Sequence, residues 1–174
     1  MKRPQPKDEE IILNRNKYIE SQTDTKGIIT NCNDYFAEIS GYTREELIGK
    51  SHNIVRHPDM PRIVFKLLWD RIQNGHNIIV IIKNLAKDGK YYWVFTHFEI
   101  MRDINTNEIT GYRAYRKYVS KHITAVLTPL YKKLVELEKE GGMKASEKYL
   151  NDFMREKGEH ITIDNLMEEI YRFY

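Results

Sequence analysis

The sequence predicts an α+β domain: one five-stranded antiparallel sheet with short helices on one face, followed by a helical extension. Three observations carry this. Turn residues and β-branched runs mark two short strands, then several short helical segments, then three longer strands. The tetrapeptide Lys87-Asp88-Gly89-Lys90 sits between two apolar runs, a strong hairpin signal that makes the third and fourth strands antiparallel neighbours. From about Ser120 onward the composition shifts to Lys, Glu and Leu, which favour helix. Elements in this order bury a common core by packing the helices on one face of the sheet.

Residues 18–23 and 28–31 read as strands around the turn Asp24-Thr25-Lys26-Gly27. Asn33 or Asp34 caps a short helix through Ile39, which Gly41 ends. Thr43, with Glu46 three residues on, forms a capping box for a second short helix over 44–48, stopped by Gly49. The stretch 52–61 holds two prolines and reads as an irregular loop. In residues 63–74, Val64, Leu67, Leu68 and Ile72 share one helical stripe, and Gly75 supplies the stop. Strands over 78–85 and 91–100 flank the hairpin, and 109–119 makes the last strand after the loop 103–107.

The chain therefore divides into an N-terminal segment 1–17, flexible or a capping helix, an α+β domain 18–119, and a helical extension 120–174. In the extension, Leu127, Leu130, Tyr131, Leu134 and Leu137 repeat at helical spacing. Gly141-Gly142 interrupts them. Tyr149, Leu150, Phe153 and Met154 form a second stripe ended by Gly158, and Thr162 caps a last helix with Leu166, Met167, Ile170 and Tyr171. These stripes pack on their own domain or on each other. The functional alternative is a dimer or partner-docking surface.

Composition narrows the function. The formal net charge of +3 is spread along 174 residues, with none of the basic patches of a nucleic-acid binder. The single cysteine, Cys32, excludes an intrachain disulfide and suits a reducing, cytoplasmic setting. The N-terminus lacks the apolar region of a secretory signal. The longest apolar run, 78–82, falls far short of the roughly 20 residues that cross a bilayer. Any link to a membrane then runs through another chain. The six histidines show no metal-ligand spacing, and there is no Gly-x-Ser-x-Gly elbow or phosphate-binding loop, so an enzyme is not expected.

The stretch Thr23-Asp24, Gly27-Ile28-Ile29, Asn33-Asp34-Tyr35-Phe36 and Ser40-Gly41-Tyr42-Thr43-Arg44-Glu45-Glu46-Leu47-Ile48-Gly49 resembles the opening of a PAS domain. The next segment is more specific. His52-Asn53-Ile54-Val55-Arg56-His57-Pro58-Asp59-Met60-Pro61, then Phe65, Trp69, Lys83-Asn84 and Asp88-Gly89 with Tyr92-Trp93-Val94, is similar to the PAS domain of bacterial aerotaxis and energy-taxis receptors. The resemblance implies FAD held noncovalently between sheet and helices, and a report of redox state to a membrane-bound chemoreceptor or signalling protein. The likeness extends to the stand-alone PAS partner of bipartite receptors. By position, it places flavin contacts at Asn33, Arg56, His57, Asp59, Phe65, Trp69 and Asn84. Arg56 and His57 would meet the pyrophosphate, Trp69 would pack along the cofactor, and Asn33 and Asn84 would offer amides to the pyrimidine edge. Asp59 would orient Arg56 or bind a ribose hydroxyl. The plainer roles are a core tryptophan, a helix cap at Asn33 and a loop-bracing Arg56–Asp59 pair.

Some positions depart from that pattern. Ile78 and Val80 stand where close relatives tend to have Trp and Gly, and an inward Val80 would narrow the cavity. Alternation with the inward Tyr92 and Val94 puts Gly111, Arg113 and Tyr115 inward on the last strand. A buried Arg113 needs an anionic partner and would touch the ligand, either a reduced, anionic flavin or a different acidic molecule. A one-residue slip would leave it on the surface. The same alternation gives an outer aromatic patch of Trp93, Phe95, His97, Tyr112 and Ala114, covered by a terminal segment, a second copy or a receptor. The alternatives to flavin are haem, held by a histidine, another small ligand, or a cofactor-free interaction module. Cys32 lacks the Asn-Cys-Arg-Phe setting of the blue-light sensors, so no thiol photochemistry is expected.

Overall fold

The computed structural model describes residues 3–158, 162 and 165–168. Strands β1 (Ile19–Thr23) and β2 (Ile29–Cys32) come first, then helices α1 (Asp34–Ser40) and α2 (Arg44–Leu47), a 3-10 turn at His52–Val55, and helix α3 (Arg62–Gln73). Strands β3 (Ile78–Leu85), β4 (Tyr91–Arg102) and β5 (Ile109–Lys117) complete an antiparallel sheet of order β2-β1-β5-β4-β3. Helix α4 (Lys121–Lys157) follows.

Local chemistry accounts for the helical boundaries. Asn33 caps α1 by accepting from the Phe36 amide, and Gly41 ends it at a φ of 72°. Thr43 and Glu46 form the reciprocal capping box of α2. Helix α3 buries Ile63, Val64, Leu68 and Ile72 against the sheet, the stripe its spacing requires. Together with Phe36, Leu47, Ile81 and Tyr92, this stripe forms the core.

The N-terminal segment is extended, not helical. It lies beside the start of β4, with Lys7 donating to the Gly89 carbonyl at 2.8 Å and Ile11 to the Tyr91 carbonyl at 2.7 Å. Pairing of β5 with β4 stops at Phe95, so this flank of β4 is open for the segment to fill. Leu13 anchors it in the core.

Helix α4 starts at the Ser120 cap and is broken at Gly142, whose φ of 71° leaves the helical region. Before the break, Leu127, Leu130, Tyr131 and Leu134 are buried. The Tyr131 ring lies 6.0 Å from Trp93 on the outer sheet face, and its hydroxyl donates to the Ile81 carbonyl at 2.8 Å. Thr162 accepts from the Asn165 amide at 3.2 Å and so caps a short helical stretch bearing Leu166 and Met167; Ile170 and Tyr171 lie outside the described residues. Among the described residues no helix is long and apolar enough to cross a membrane.

Candidate functional site

A cavity of about 120 Å³ lies between α3 and the inner face of the sheet. The strand register decides what lines it. Phe98 of β4 pairs with Ala114 of β5, which pairs with Ser21 of β1; two residues along, Val80, Thr96 and Arg116 form the next row. The inner face therefore presents Ser21, Thr23, Ile82, Asn84, Phe98, Tyr112, Ala114 and Arg116 to the cavity. Phe65, Leu68, Trp69 and Ile72 of α3 form the opposite wall, and Lys26, His52, Asn53 and Arg56 close the rest.

Arg116 dominates the electrostatics. It is 2% exposed and has no carboxylate within ion-pair distance among the described residues. One guanidinium nitrogen donates to Ser21 Oγ and another to His52 Nε2, both at 2.9 Å. Burial pulls its pKa down to about 10, still protonated at neutral pH. Since the His52 Nε2 accepts from Arg116, the imidazole is the neutral Nδ1–H tautomer. Loss of solvent, and then the Arg116 charge, depress its pKa to about 3. The ring stacks on Phe36 at 5.5 Å. Beside this pair, the fully buried Tyr92 hydroxyl and Thr96 Oγ1 have no hydrogen-bond partner. A buried cation without a counter-ion and two orphaned hydroxyls on one sheet face are each costly. Of these groups Arg116 lines the cavity, with its partners His52 and Ser21, and gives it a positive corner suited to an acceptor-rich, negatively charged group.

Of the residues singled out from the sequence, Arg56, Phe65, Trp69 and Asn84 line the cavity. The Arg56 guanidinium lies 4.2 Å over the Phe65 ring and donates to the Met60 carbonyl at 3.2 Å. An isolated β-bridge joins Arg56 to Asn84. Trp69 meets Tyr112 edge-on at 5.8 Å and covers Gly27, whose φ of 78° keeps that turn free of a side chain.

The other four lie elsewhere. The Asn33 side chain is taken up in holding α1 to β1: Oδ1 accepts from the Glu20 and Phe36 amides and Nδ2 donates to the Tyr18 carbonyl. His57 is buried against Tyr91, with Nδ1 accepting from the Asp59 amide at 3.1 Å. Burial, then the Lys83 charge, depress its pKa to about 4. Asp59 pairs with Lys83 at 2.7 Å, not with Arg56. Arg113 does not face the cavity. Its Nε lies 3.6 Å from Glu20 and it donates to the Tyr115 hydroxyl on the outer face. The register of β5 is one residue from the expected phase, because Phe98 pairs with Ala114 and a bulge at Met101/Arg102 shifts the count. The same correction moves Tyr112 and Ala114 from the outer patch to the cavity. Trp93, Phe95 and His97 remain outside with Tyr115 and Lys117, and Tyr131 of α4 packs against Trp93. Val80 faces inward, in the row with Thr96 and Arg116.

Arg116, His52, Ser21 and Tyr112 were missed at this site. Arg116 shares the phase of Tyr112 and Ala114, and only the pairing register tells that phase from its neighbour.

The fold and this cavity define a class, the PAS domains. Residues 29–114 match the PAS fold family, and the chain carries a PAS domain. Over 114 residues it is 40% identical to the aerotaxis receptor of Escherichia coli strain K12, an alignment covering 66% of this chain and 22% of the receptor. The chain thus spans about a fifth of that relative's length. It is 31% identical over 70 residues to phototropin-1A of Oryza sativa subsp. japonica, covering 40% of this chain and 8% of that one. The light-state structure of the blue-light photoreceptor Aureochrome1 LOV superposes with a TM-score of 0.58 at 19% identity, over 64% of this chain and 88% of that one. That likeness establishes the fold.

The residues fit a flavin in chemistry more readily than in volume. Asn84, Arg116 and Ser21 supply what a heterocycle rich in N–H and C=O groups requires, and Arg56 and Lys26 add positive charge to the lining. The volume of about 120 Å³ is below the roughly 300–1,000 Å³ of small-molecule pockets. As it stands the cavity is smaller than a tricyclic ring requires, and Phe65, Leu68 and Trp69 form its wall opposite the sheet. Among the described residues no group of three His, Cys, Asp or Glu side chains could hold a metal.

Proposed function

We propose that this PAS domain is a non-enzymatic sensor. In this reading it holds FAD noncovalently in the cavity and reports redox state to a membrane-bound chemoreceptor from the cytoplasmic side. The observation that carries the proposal is Arg116: a buried guanidinium that lines the cavity and has no carboxylate within ion-pair distance among the described residues. Likeness to the aerotaxis receptor over 114 residues supports the same reading. When bound, FAD supplies a ring whose charge changes on reduction. Arg116, braced by His52 and Ser21, neutralises added negative charge. Asn84 orients the polar edge of the ring, Trp69 and Phe65 pack along it, and Arg56 with Lys26 meets the pyrophosphate. Asn33, His57 and Asp59 act one step back, holding α1 and the loop that bears Arg56. The partner, or a second copy, would bind the outer face around Phe95 and His97 or the surface of α4.

The small volume favours a second reading, an interaction module whose cavity stays closed. The absorbance spectrum of freshly purified protein, repeated on the supernatant after heating and after titration with FAD, separates the two. Flavin bands with FAD released by heat are expected. A Soret band would replace flavin with haem. A colourless protein that takes up no FAD would leave the interaction module.

A further inference from the structure

Helix α3 opens on Pro61, which provides no side-chain cap. Its first amides are met instead by a residue of α4. The Glu138 carboxylate accepts from the backbone N–H groups of Arg62 and Ile63, both at 2.8 Å, and Glu138 is 8% exposed. An acidic group there satisfies orphan donors and complements the helix dipole. The same carboxylate also meets the Arg62 side chain, Nε to Oε2 at 3.4 Å. The fully buried Ser146 hydroxyl lies 3.1 Å from Oε1 and shares its proton with the Met143 carbonyl at 2.9 Å, and Ser146 belongs to α4 beyond the break at Gly142. One carboxylate thus joins the start of α3 and both halves of α4. Lys66 of α3 adds an outer tie to Glu147 at 3.4 Å.

Helix α3 is also the wall of the cavity opposite the sheet, through Phe65, Leu68, Trp69 and Ile72. We infer that Glu138 is the latch coupling cavity occupancy to the tail: when α3 is pushed outward, the buried carboxylate carries that displacement into the part of α4 after Gly142. A buried carboxylate stripped of its donors is strongly disfavoured, so it travels with the α3 amides. Gly142 already departs from helical geometry and is the point at which the two halves of α4 change their angle. Occupied and empty states then differ in contacts at the tail, which a population shift requires. The inference rests on the cavity being a ligand site but not on the ligand being flavin.

A cavity-filling substitution tests it without any cofactor. Ala114→Trp adds more bulk on the sheet side than the cavity of about 120 Å³ can hold, and so wedges α3. Hydrogen exchange is measured by mass spectrometry on the wild type, Ala114→Trp, Glu138→Gln and the double variant. Ala114→Trp is expected to speed exchange at least tenfold at the start of α3 and in residues 143–156. Glu138→Gln alone is expected to do the same in the tail, and the double variant to be no faster there than the faster single. Tail effects that multiply in the double variant, or a wedge that leaves either α3 or the tail unchanged, would overturn the inference. Should Glu138→Gln fail to fold, Ser146→Ala takes its place; it leaves the α3 cap intact, and the wedge should then act on α3 but not on the tail. A wedge that moves the tail equally in this background overturns the inference too. Absorbance titration with FAD on the same proteins reports separately on the flavin reading.

Discussion

Strand β5 carries two arginines three residues apart, and the pleat sends them to opposite faces. Arg113 lies outside, part-exposed, beside the Glu20 carboxylate and the Tyr115 hydroxyl. Arg116 lies inside, hydrogen-bonded to Ser21, His52 and a backbone carbonyl and 5.7 Å over the Phe36 ring, with no carboxylate in reach among the described residues. The first is an ordinary surface pair whose loss the fold barely feels. The second costs stability unless an anion accompanies it, and among the described residues no carboxylate does. An interior charge without an opposite charge beside it points to a ligand, whereas a satisfied surface charge points to nothing further.

That contrast breaks most sharply at Arg116. Arg116→Met is expected to weaken FAD binding at least a hundredfold, about 2.8 kcal/mol, while stabilising the ligand-free domain to urea by about 1 kcal/mol. Unchanged FAD affinity with lower stability would make Arg116 a structural brace only. Next come the two histidines of the loop before α3. Both are held neutral below the ordinary value of 6.5, His52 to about 3 and His57 to about 4. The unfolded chain takes up those protons below about pH 6.5 and the folded one does not. Their contribution to stability is therefore complete above that pH and falls as pH drops, through about 4 for His57 and about 3 for His52. His57→Asn should reduce the loss of stability between pH 6 and 5 by up to about 1.4 kcal/mol, seen in urea melts at each pH. An unchanged pH dependence would show that His57 is protonated in the folded state.

Smaller effects sharpen the same picture. Tyr131→Phe removes one buried hydrogen bond to the Ile81 carbonyl and should cost about 1 kcal/mol in chemical denaturation. Arg113→Ala should change stability by less than about 0.5 kcal/mol and leave FAD binding as it was. A large loss in either property would remove the distinction between the two arginines.

Most of the fold was legible in the sequence, because turns and caps are local chemistry. The Asp88-Gly89 hairpin, the Thr43–Glu46 box and the break at the paired glycines each need only neighbouring residues. The site was harder to read. Phe65, Trp69, Arg56 and Asn84 were found through family resemblance. Arg116 was not, because β5 offers an arginine in either phase: Arg113 with Gly111 and Tyr115, or Arg116 with Tyr112 and Ala114. Only the pairing of Phe98 with Ala114, a long-range contact, decides between them. Glu138 was invisible for the same reason, since in sequence it is one acidic residue in a run of Lys and Glu.

Strand β3 stands at the margin of the sheet and includes the uninterrupted apolar run from Ile78 to Ile82. Such a margin is a template for pairing with other chains. Here its backbone is met piece by piece: the Ile81 carbonyl by the Tyr131 hydroxyl, the Lys83 amide by the Met60 sulfur, and Asn84 by the bridge to Arg56. Tyr131 of α4, with Met60 and Arg56 of the loop before α3, thus shields this margin from pairing with another chain. A protease that clips the chain before α4 would turn a well-behaved sensor into an aggregating one.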